Sequence, residues 1–438
     1  MRPRNAYAAI ALVCGVAVVT GAGLEMTTRE GPAARPAVLL GVAHDDGVHK
    51  LVRVAPVSLR PLPGRRLRLQ GPLEAWALSP DDRRLAAVTD RGSVLQLIEV
   101  ERMRTVGRVR TLARGSPAAV VWPRRDRLWI VLAASGCCAV GTTTVVTVDA
   151  IAKRVLARRR LAGGLARVAA SADGPVLLLA PSAMIGPAWL ATVDAGGAVE
   201  RVPLDGVSAG LMPTELAPSV ERERTPALAV DSDRRRAYVL SSRPYVVEVD
   251  LRRRRVSGHR LVARTSLADR LRELLEPSAA AYARVGPVRD AAWIGAGRIA
   301  LSGYDGDAVW RSDGGVEGER RPAGLHVIDT RDWSIRTLDE RASTFVAAAG
   351  LLLTSGPEGR GLAAYAPDGG ERFHVLDGRH LEIVASAGPL AYVRTPPELA
   401  LQVVDLAHGR VIGTSAPGRA TLLLERVAGW QYSPRAPR

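Results

Sequence analysis

Residues 75–111 read AWALSPDDRRLAAVTDRGSVLQLIEVERMRTVGRVRT, and this stretch decides the fold. Four short apolar runs, at residues 75–78, 85–88, 94–99 and 105–111, are separated by turns rich in Pro, Asp and Gly. Short runs of this kind, bounded by turn residues, are typical of antiparallel strands joined by hairpins. Four consecutive strands in one meander predict a blade of a β-propeller.

The same unit recurs along the chain, and the end of each third run serves as a marker. The eight markers, spaced 37 to 79 residues apart, are Ala55, Glu99, Asp149, Asp194, Asp250, Asp329, Ala366 and Asp405. Eight markers predict a single all-β domain, an eight-bladed propeller. Seven blades are the fallback if residues 344–380 do not form a blade.

The two ends of the repeat region complement each other. Residues 37–69 have room for only three strands, whereas residues 421–424 form one surplus apolar run after the last unit. The surplus strand is predicted to supply the inner strand of blade 1 and close the ring, which removes the open sheet edges.

Several turns and third strands resemble the YVTN and WD-like repeat family of bacterial cell-envelope propellers. The similarity rests on residues 78–85 (LSPDDRRL), 230–239 (VDSDRRRAYV), 327–330 (VIDT) and 403–406 (VVDL). It implies an eight- or seven-bladed propeller with a binding or scaffold role, and it names no ligand.

The charge balance excludes a specialised nucleic-acid protein. Of 438 residues, 60 are Lys or Arg and 44 are Asp or Glu, giving a net charge of +16. Nearly all the cations are Arg, a skew typical of a GC-rich genome, and the densest runs (158–160, 234–236 and 252–255) lie at turns beside acidic residues. We interpret them as solvated hairpin tips rather than a phosphate-binding arm.

The N-terminus has the layout of an export signal. Arg2 and Arg4 precede an uncharged stretch, residues 6–24, which Glu25 ends. This pattern predicts either a cleaved signal peptide or a retained membrane anchor, so the protein is expected to be secreted or held at the outer face of the cytoplasmic membrane. The predicted organisation is signal or anchor 1–24, linker 25–36, propeller 37–425 and tail 426–438.

The long connections are predicted to share one face of the disc. In an antiparallel meander, second-to-third-strand turns and blade-to-blade links lie together, and we call this side the decorated face. Its long segments are residues 135–144, 181–187, 207–225, 264–287 and 303–324. The opposite side, the plain face, is predicted to carry only short turns. The decorated face is the expected binding surface. Neutral sequence drift in surface loops that tolerate insertions would give the same pattern.

One of these insertions, residues 264–287, is predicted to contain a short helix. Ser266 caps it, leucines from Leu267 to Leu275 form an apolar stripe, and Pro277 ends it. The stripe is expected to pack on the propeller itself or, alternatively, on a partner.

Two groups of residues on this face have side chains that could bind a metal ion or a ligand. His44, Asp45, Asp46 and His49 are weak candidates for a divalent cation, although Asp46 and the following glycine also form an ordinary hairpin turn. The second group is a candidate binding loop of Tyr304, Asp305, Asp307, Trp310 and Arg311. Its carboxylates could serve acid–base chemistry or simply keep a glycine-rich loop soluble.

Adjacent Cys137 and Cys138 are expected either to form a vicinal disulfide or to remain free thiols in an oxidising compartment. Trp76, Trp122 and Trp293 lie in or just after first strands and are predicted to wedge between blades.

The sequence shows no nucleophile elbow and no phosphate-cradling glycine loop, so no catalytic residue, metal or cofactor is predicted. The expected function is that of an exported, monomeric binding or scaffold module for a protein or cell-envelope ligand, without nucleic acid. The alternative is a propeller hydrolase, lyase or lactonase with its site at the mouth of the central channel.

Overall fold

In the computed structural model, every regular element in the described part of the chain is a β-strand. The residues described are 16–17, 39–45, 47–111, 113, 115–134, 141–181, 185–214, 217–241, 245–263, 288–305, 308–310, 316–317, 321–356, 359–395, 400–415 and 422–424. Within them, no helix has the length and hydrophobicity needed to cross a membrane. The helix predicted within residues 264–287 lies outside the described residues.

The strands form eight sheets, one for each blade of a propeller, which confirms the all-β, eight-bladed prediction. We label the strands of each blade A to D from the innermost outward. In blades 2, 3 and 4 they are Ala75–Leu78, Arg84–Thr89, Val94–Glu99 and Arg104–Arg110; Ser116–Arg124, Arg127–Ala133, Thr142–Asp149 and Arg154–Ala162; and Gly164–Ser171, Gly174–Ala180, Gly186–Val193 and Val199–Thr214.

The remaining complete meanders are blades 5 to 8. Their strands are Ala227–Asp231, Arg236–Leu240, Tyr245–Asp250 and Arg255–Arg260; Val288–Trp293, Arg298–Asp305, Leu325–Asp329 and Ser334–Asp339; Thr344–Ala348, Leu351–Ser355, Leu362–Tyr365 and Glu371–Val375; and Glu382–Ala387, Leu390–Thr395, Ala400–Asp405 and Arg410–Thr414. The weakest predicted unit, residues 344–380, is therefore blade 7.

Blade 1 closes the ring with a strand from the far end of the chain. Its strands B, C and D are Leu39–Asp45, Val48–Val54 and Leu67–Arg68, and its strand A is Leu422–Leu424. The pairing is antiparallel, with Leu40 opposite Leu424 and Val42 opposite Leu422. The predicted closure by the C-terminal strand is confirmed.

Three short pieces of chain add to two of these sheets. Val16–Ala17 pairs in parallel with strand A of blade 2, and Val262–Ala263 pairs in parallel with strand D of blade 6. Arg321–Pro322 pairs with strand B of blade 6.

Neighbouring blades pack through large apolar side chains, as predicted for the tryptophans. Trp122 is fully buried in a cluster that joins blades 2 and 3, and Trp76 is 5% exposed in a cluster that joins blades 1 and 2. Trp293 of blade 6 stacks on Tyr238 of blade 5, with ring centroids 5.6 Å apart. Each such ring removes a large apolar area from water, so the blades are stable only as a ring.

An acidic residue at the end of strand C shapes most C–D turns. The carboxylate of Asp149 accepts hydrogen bonds from the backbone N–H groups of Ile151, at 3.0 Å, and Ala152, at 2.8 Å. Four residues after the acid, Lys153 has a left-handed backbone with φ of 56°. The residues with positive φ at the same place in blades 2, 5, 6 and 8 are Met103, Arg254, Trp333 and Gly409. The aspartates used as sequence markers are therefore turn caps, whereas the Glu99 carboxylate binds the Arg104 side chain.

The left-handed residue of a C–D turn lies against strand D of the preceding blade. Trp333 stacks on His259 of blade 5 with ring centroids 3.7 Å apart. Lys153 covers Gly107 of blade 2, where an added Cβ would lie 2.6 Å from the lysine Cδ. The C–D turns thus hold neighbouring blades together at the rim.

The prediction that plain-face turns are uniformly short has one exception. In blade 1, residues 55–66 separate strands C and D, and they lie beside blade 8, since an added Cβ at Gly413 would be 2.4 Å from the Val57 carbonyl oxygen. The longer connection fills the seam where the ring closes.

The turn cap predicts an acid-dependent stability. Backbone N–H donors, led by that of Ala152, lower the pKa of Asp149, so its stabilisation is complete above the unfolded-state pKa of about 3.9 and is lost as pH falls through the folded-state value. We expect Asp149→Ala to reduce the free energy of unfolding by about 1 kcal/mol at pH 7. Urea unfolding at pH 7 and pH 3 measures this difference.

At pH 3 the gap between Asp149→Ala and the wild type should shrink. Asp205→Ala removes an exposed carboxylate outside the C–D turns and serves as the control. An Asp149→Ala defect of unchanged size at pH 3 would contradict the ionised-cap explanation.

Candidate binding face and channel mouth

Two insertions of the decorated face join in one small sheet, which we call the strap sheet. Strand D of blade 4 runs on past the blade, and its residues 210–214 pair with Ala217–Arg224 in the link to blade 5. That strand pairs with Ala308–Trp310 from the B–C connection of blade 6, with Val220 opposite Val309. Val316–Glu317 completes the strap sheet. Blades 4 and 6 are thus bridged on the decorated face.

The strap sheet leads directly into the channel mouth. Thr225, which follows the strand Ala217–Arg224, forms a parallel bridge with Val288 at the start of strand A of blade 6. The N–H of Arg289 donates to the carbonyl of Thr225 at 2.9 Å. The position of the strap sheet is therefore fixed by the inner strands that line the channel.

A fully buried arginine links the inner strands of blades 4 and 6. Arg167 is 0% exposed, and one terminal nitrogen lies 2.8 Å from the Asp290 carboxylate and 2.8 Å from the Arg289 carbonyl oxygen. The guanidinium also donates to the carbonyl of Ala166 at 3.3 Å. A buried charge needs such partners because its desolvation is costly.

A second ion pair lies at the end of strand B of blade 6. Arg289 donates to the Asp305 carboxylate at 2.6 Å and to the Tyr304 carbonyl at 2.8 Å. Arg289 is 12% exposed in its side chain and Asp305 is 51% exposed. The pair joins strand A to the first residues of the strap-forming loop, so loop position and channel lining are coupled.

His326 closes the other end of that loop. Its Nε2 donates to the carbonyl of Ala323 at 2.7 Å, while its Nδ1 lies 3.0 Å from the hydroxyl of Thr337. Burial lowers the pKa of His326, so the ring is neutral at pH 7 and both nitrogens are used in structural contacts.

A polar network lies between blades 6 and 7 on the same face. The carboxylate of Asp339 is 1% exposed and 2.7 Å from the guanidinium of Arg360. It also accepts hydrogen bonds from Thr354 at 3.1 Å and Tyr365 at 3.3 Å. Burial first, and the Asp339 charge second, raise the pKa of Tyr365 to about 12. This phenol stays protonated at neutral pH and ties two blades together.

The predicted binding loop is placed in part. Tyr304 and Asp305 end strand B of blade 6, and Trp310 lies in the strap sheet with its backbone opposite Val316. Asp307 and Arg311 lie outside the described residues. Asp305 gains a partner, Arg289, that the sequence did not suggest.

The other predicted groups remain predictions. The backbone places His44 opposite His49 in the B–C hairpin of blade 1, on the decorated face, while Asp46 lies outside the described residues. Among the residues the structure describes, no three His, Cys, Asp or Glu side chains are grouped as metal ligands. Cys137 and Cys138 also lie outside the described part.

The arginines of the channel mouth were not predicted from the sequence. Arg167 is the only charge in the apolar strand Gly164–Ser171, and a lone charge in an inner strand is the signal that could have found it. Arg289 and Asp290, adjacent and opposite in charge at the start of an inner strand, are a weaker signal.

No protein-family model matches the chain, and no curated protein matches it. Among solved structures, the chain is similar to the dihydro-heme d1 dehydrogenase NirN in complex with DHE, at 14% identity and a TM-score of 0.55, covering 93% of this chain and 78% of that one. It is also similar to apo AztD from Citrobacter koseri, at 13% identity and a TM-score of 0.49, covering 90% of this chain and 98% of that one. BamB from Moraxella catarrhalis is similar at 12% identity and a TM-score of 0.41, covering 81% of this chain and 92% of that one.

At these identities, the NirN likeness shows the propeller fold alone. Membership of the YVTN and WD-like repeat family stays a prediction.

The buried pair at the channel predicts unequal costs for its two partners. Asp290→Ala leaves Arg167 buried without its counter-charge, so we expect a loss of about 3 kcal/mol in the free energy of unfolding. Arg167→Met leaves Asp290, which is 33% exposed and can stay hydrated, so the expected loss is only about 1 to 2 kcal/mol. Denaturant unfolding of both single variants and the double variant measures the coupling.

The double variant should resemble Arg167→Met. Glu200→Ala, which removes the exposed partner of Arg254, is the control and should change stability by about 0.5 kcal/mol or less. Single-variant costs that simply add in the double variant would show that the two side chains are not coupled.

Proposed function

We propose that this protein is an exported binding module that holds a protein ligand on its decorated face. The strap sheet carries the proposal, because two insertions separated by more than 80 residues in sequence form one surface over the propeller. Loops displayed on a rigid scaffold are the usual site of recognition. Drift in unrelated loops would not favour their pairing with each other.

The strap sheet has a backbone suited to binding an extended segment. In the described part of the chain, Val316–Glu317 pairs only with Ala308–Trp310, so it is the edge strand of the strap sheet. Such edges bind extended segments of other proteins by strand addition. The Arg289–Asp305 pair supports this surface by fixing the loop to the channel lining.

The channel mouth favours binding over the enzymatic alternative. Asp290 and Asp305 are the partly exposed carboxylates there, and each faces an arginine at 2.8 Å or less. The Asp290 contact joins two inner strands, and the Asp305 contact joins an inner strand to the strap-forming loop. These two residues are therefore positioned to support the surface.

Export rests on Arg2, Arg4 and the uncharged residues 6–24. The pairing of Val16–Ala17 with blade 2 would then belong to the precursor and be absent from a cleaved or membrane-anchored protein. Secretion or attachment to the outer face of the cytoplasmic membrane both follow from this segment.

Site-specific photocrosslinking in the native host tests the decorated face. A photoreactive phenylalanine analogue replaces Val309 or Glu221 in the strap sheet, and adducts are identified by mass spectrometry. The controls place the same analogue at Ile151 and Ala407, exposed tips of plain-face turns. We expect one defined protein adduct from both strap positions and none from the controls.

The same adducts from both faces, or none from the strap sheet, would contradict the proposal. A stoichiometric metal or organic cofactor in protein purified without chelator would favour the enzymatic alternative instead.

A further inference from the structure

An arginine-lined groove opens on the plain face of blade 5, between its A–B turn and its C–D turn. Its volume is about 660 Å³, within the range of small-molecule sites. Five arginines and two aspartates line it: Asp233, Arg234, Arg235, Arg236, Asp250, Arg252 and Arg253. This groove is on the side of the disc opposite the strap sheet.

The Asp250 carboxylate is already used by the turn. It accepts hydrogen bonds from the N–H groups of Arg252, at 3.0 Å, and Arg253, at 2.8 Å. These donors, with that of Arg253 first, lower the pKa of Asp250 and keep it ionised. Asp250 therefore shapes the backbone beneath the two arginines, and it attracts the Arg253 side chain by charge without a direct ion pair.

Three neighbouring arginines are paired with carboxylates outside the groove. Arg254, the left-handed residue of the turn, reaches Glu200 of blade 4, with its Nε 3.0 Å from the carboxylate. Arg235 lies 3.2 Å from Asp173. Arg236 lies 2.9 Å from Glu248. The carboxylates of Glu200, Asp173 and Glu248 are thus used by these three cations.

Arg252 and Arg253 are left at the tip of the turn. Both are exposed, and among the described residues neither guanidinium forms an ion pair or a hydrogen bond. Arg234 is held only loosely, 3.9 Å from the buried carboxylate of Asp231. Three guanidinium groups therefore face one groove without a strong partner, and the ionised Asp250 and the exposed Asp233 are the opposing charges in the lining.

We propose that this groove binds a compact anion carrying two or more phosphate groups, with Arg252 and Arg253 as its principal ligands. The planar guanidinium donates two parallel hydrogen bonds to a phosphate, and its charge persists at every physiological pH. A single negative charge would gain little at an exposed site in salt, whereas a ligand with several charges engages adjacent arginines together. The site goes beyond the proposed function, because it uses the other face.

Calorimetric titration of the full-length exported chain with inorganic tripolyphosphate tests the proposal. We expect saturable 1:1 binding that weakens as sodium chloride is raised. Arg252→Gln combined with Arg253→Gln should weaken it by at least about tenfold for each arginine removed. These substitutions leave the backbone donors to Asp250 in place, so the turn should keep its shape.

Arg108→Gln combined with Arg110→Gln is the matched control, since it removes two exposed arginines from the outer strand of blade 2. It should change the affinity by less than about twofold if only long-range charge is lost. Arg252→Lys with Arg253→Lys keeps both positive charges but removes the planar guanidinium groups that donate paired hydrogen bonds. Its affinity for tripolyphosphate should lie between those of the wild type and the glutamine pair. Thermal unfolding of each variant verifies that it is folded.

The source of the phosphate groups is distinguished by a second arm, co-sedimentation with vesicles of cardiolipin, whose headgroup carries two phosphate groups, in phosphatidylcholine. Loss of tripolyphosphate binding alone in the glutamine pair supports a soluble ligand, and loss of vesicle binding supports a lipid headgroup. Absence of saturable binding to either probe, or equal weakening in the blade 2 control, would overturn the site. Crosslinking at the strap sheet is unaffected by either outcome.

Discussion

The contact between each blade and the outer strand of the blade before it is the constraint on which the structure depends. A blade is a twisted four-stranded sheet whose two apolar faces must both be covered, so a single blade cannot be stable. Stacked rings such as Trp333 on His259, and Trp293 on Tyr238, cover those faces from blade to blade. The chain must therefore return to its start, and Leu422–Leu424 completes the inner edge of blade 1. At the outer edge, the long C–D connection of blade 1 lies against Gly413 of blade 8.

This constraint explains why the two faces differ. Most C–D turns place a left-handed residue on the neighbouring blade, so a longer turn there would break the contact. The B–C and D–A connections do not make this contact, so they can accept insertions at little entropic cost. The strap sheet is the result on one face. On the other, fixed turns hold the blade 5 arginines in a defined groove.

Local patterns in the sequence were sufficient for the architecture. The acids at the ends of third strands, such as Asp149 and Asp250, mark most blades because they cap a tight turn. The surplus apolar run at the C-terminus was predicted to close the ring for a physical reason, the instability of an open edge, and it does so.

The site was less predictable, because its contacts join residues far apart in sequence. Arg167 binds the backbone of Arg289, 122 residues away, and Val220 pairs with Val309 across blade 5. No local sequence pattern encodes such partners. The lone arginine in an apolar strand is a signal for the Arg167 contact but not for the pairing of Val220 with Val309. From composition, all the arginine runs were predicted to be solvated hairpin tips. The structure separates them into side chains paired with a carboxylate, such as Arg254, and exposed side chains without such a pair among the described residues, such as Arg252 and Arg253.

Hydrogen exchange of backbone amides, read by mass spectrometry, tests ring closure most directly. If Leu422–Leu424 is the inner strand of blade 1, its amides and those of Leu39–Asp45 should share the slow exchange of Arg84–Thr89 in the centre of blade 2. All three should exchange together, through global unfolding. Rapid exchange at Leu422–Leu424 beside full protection in blade 2 would contradict a closed eight-bladed ring.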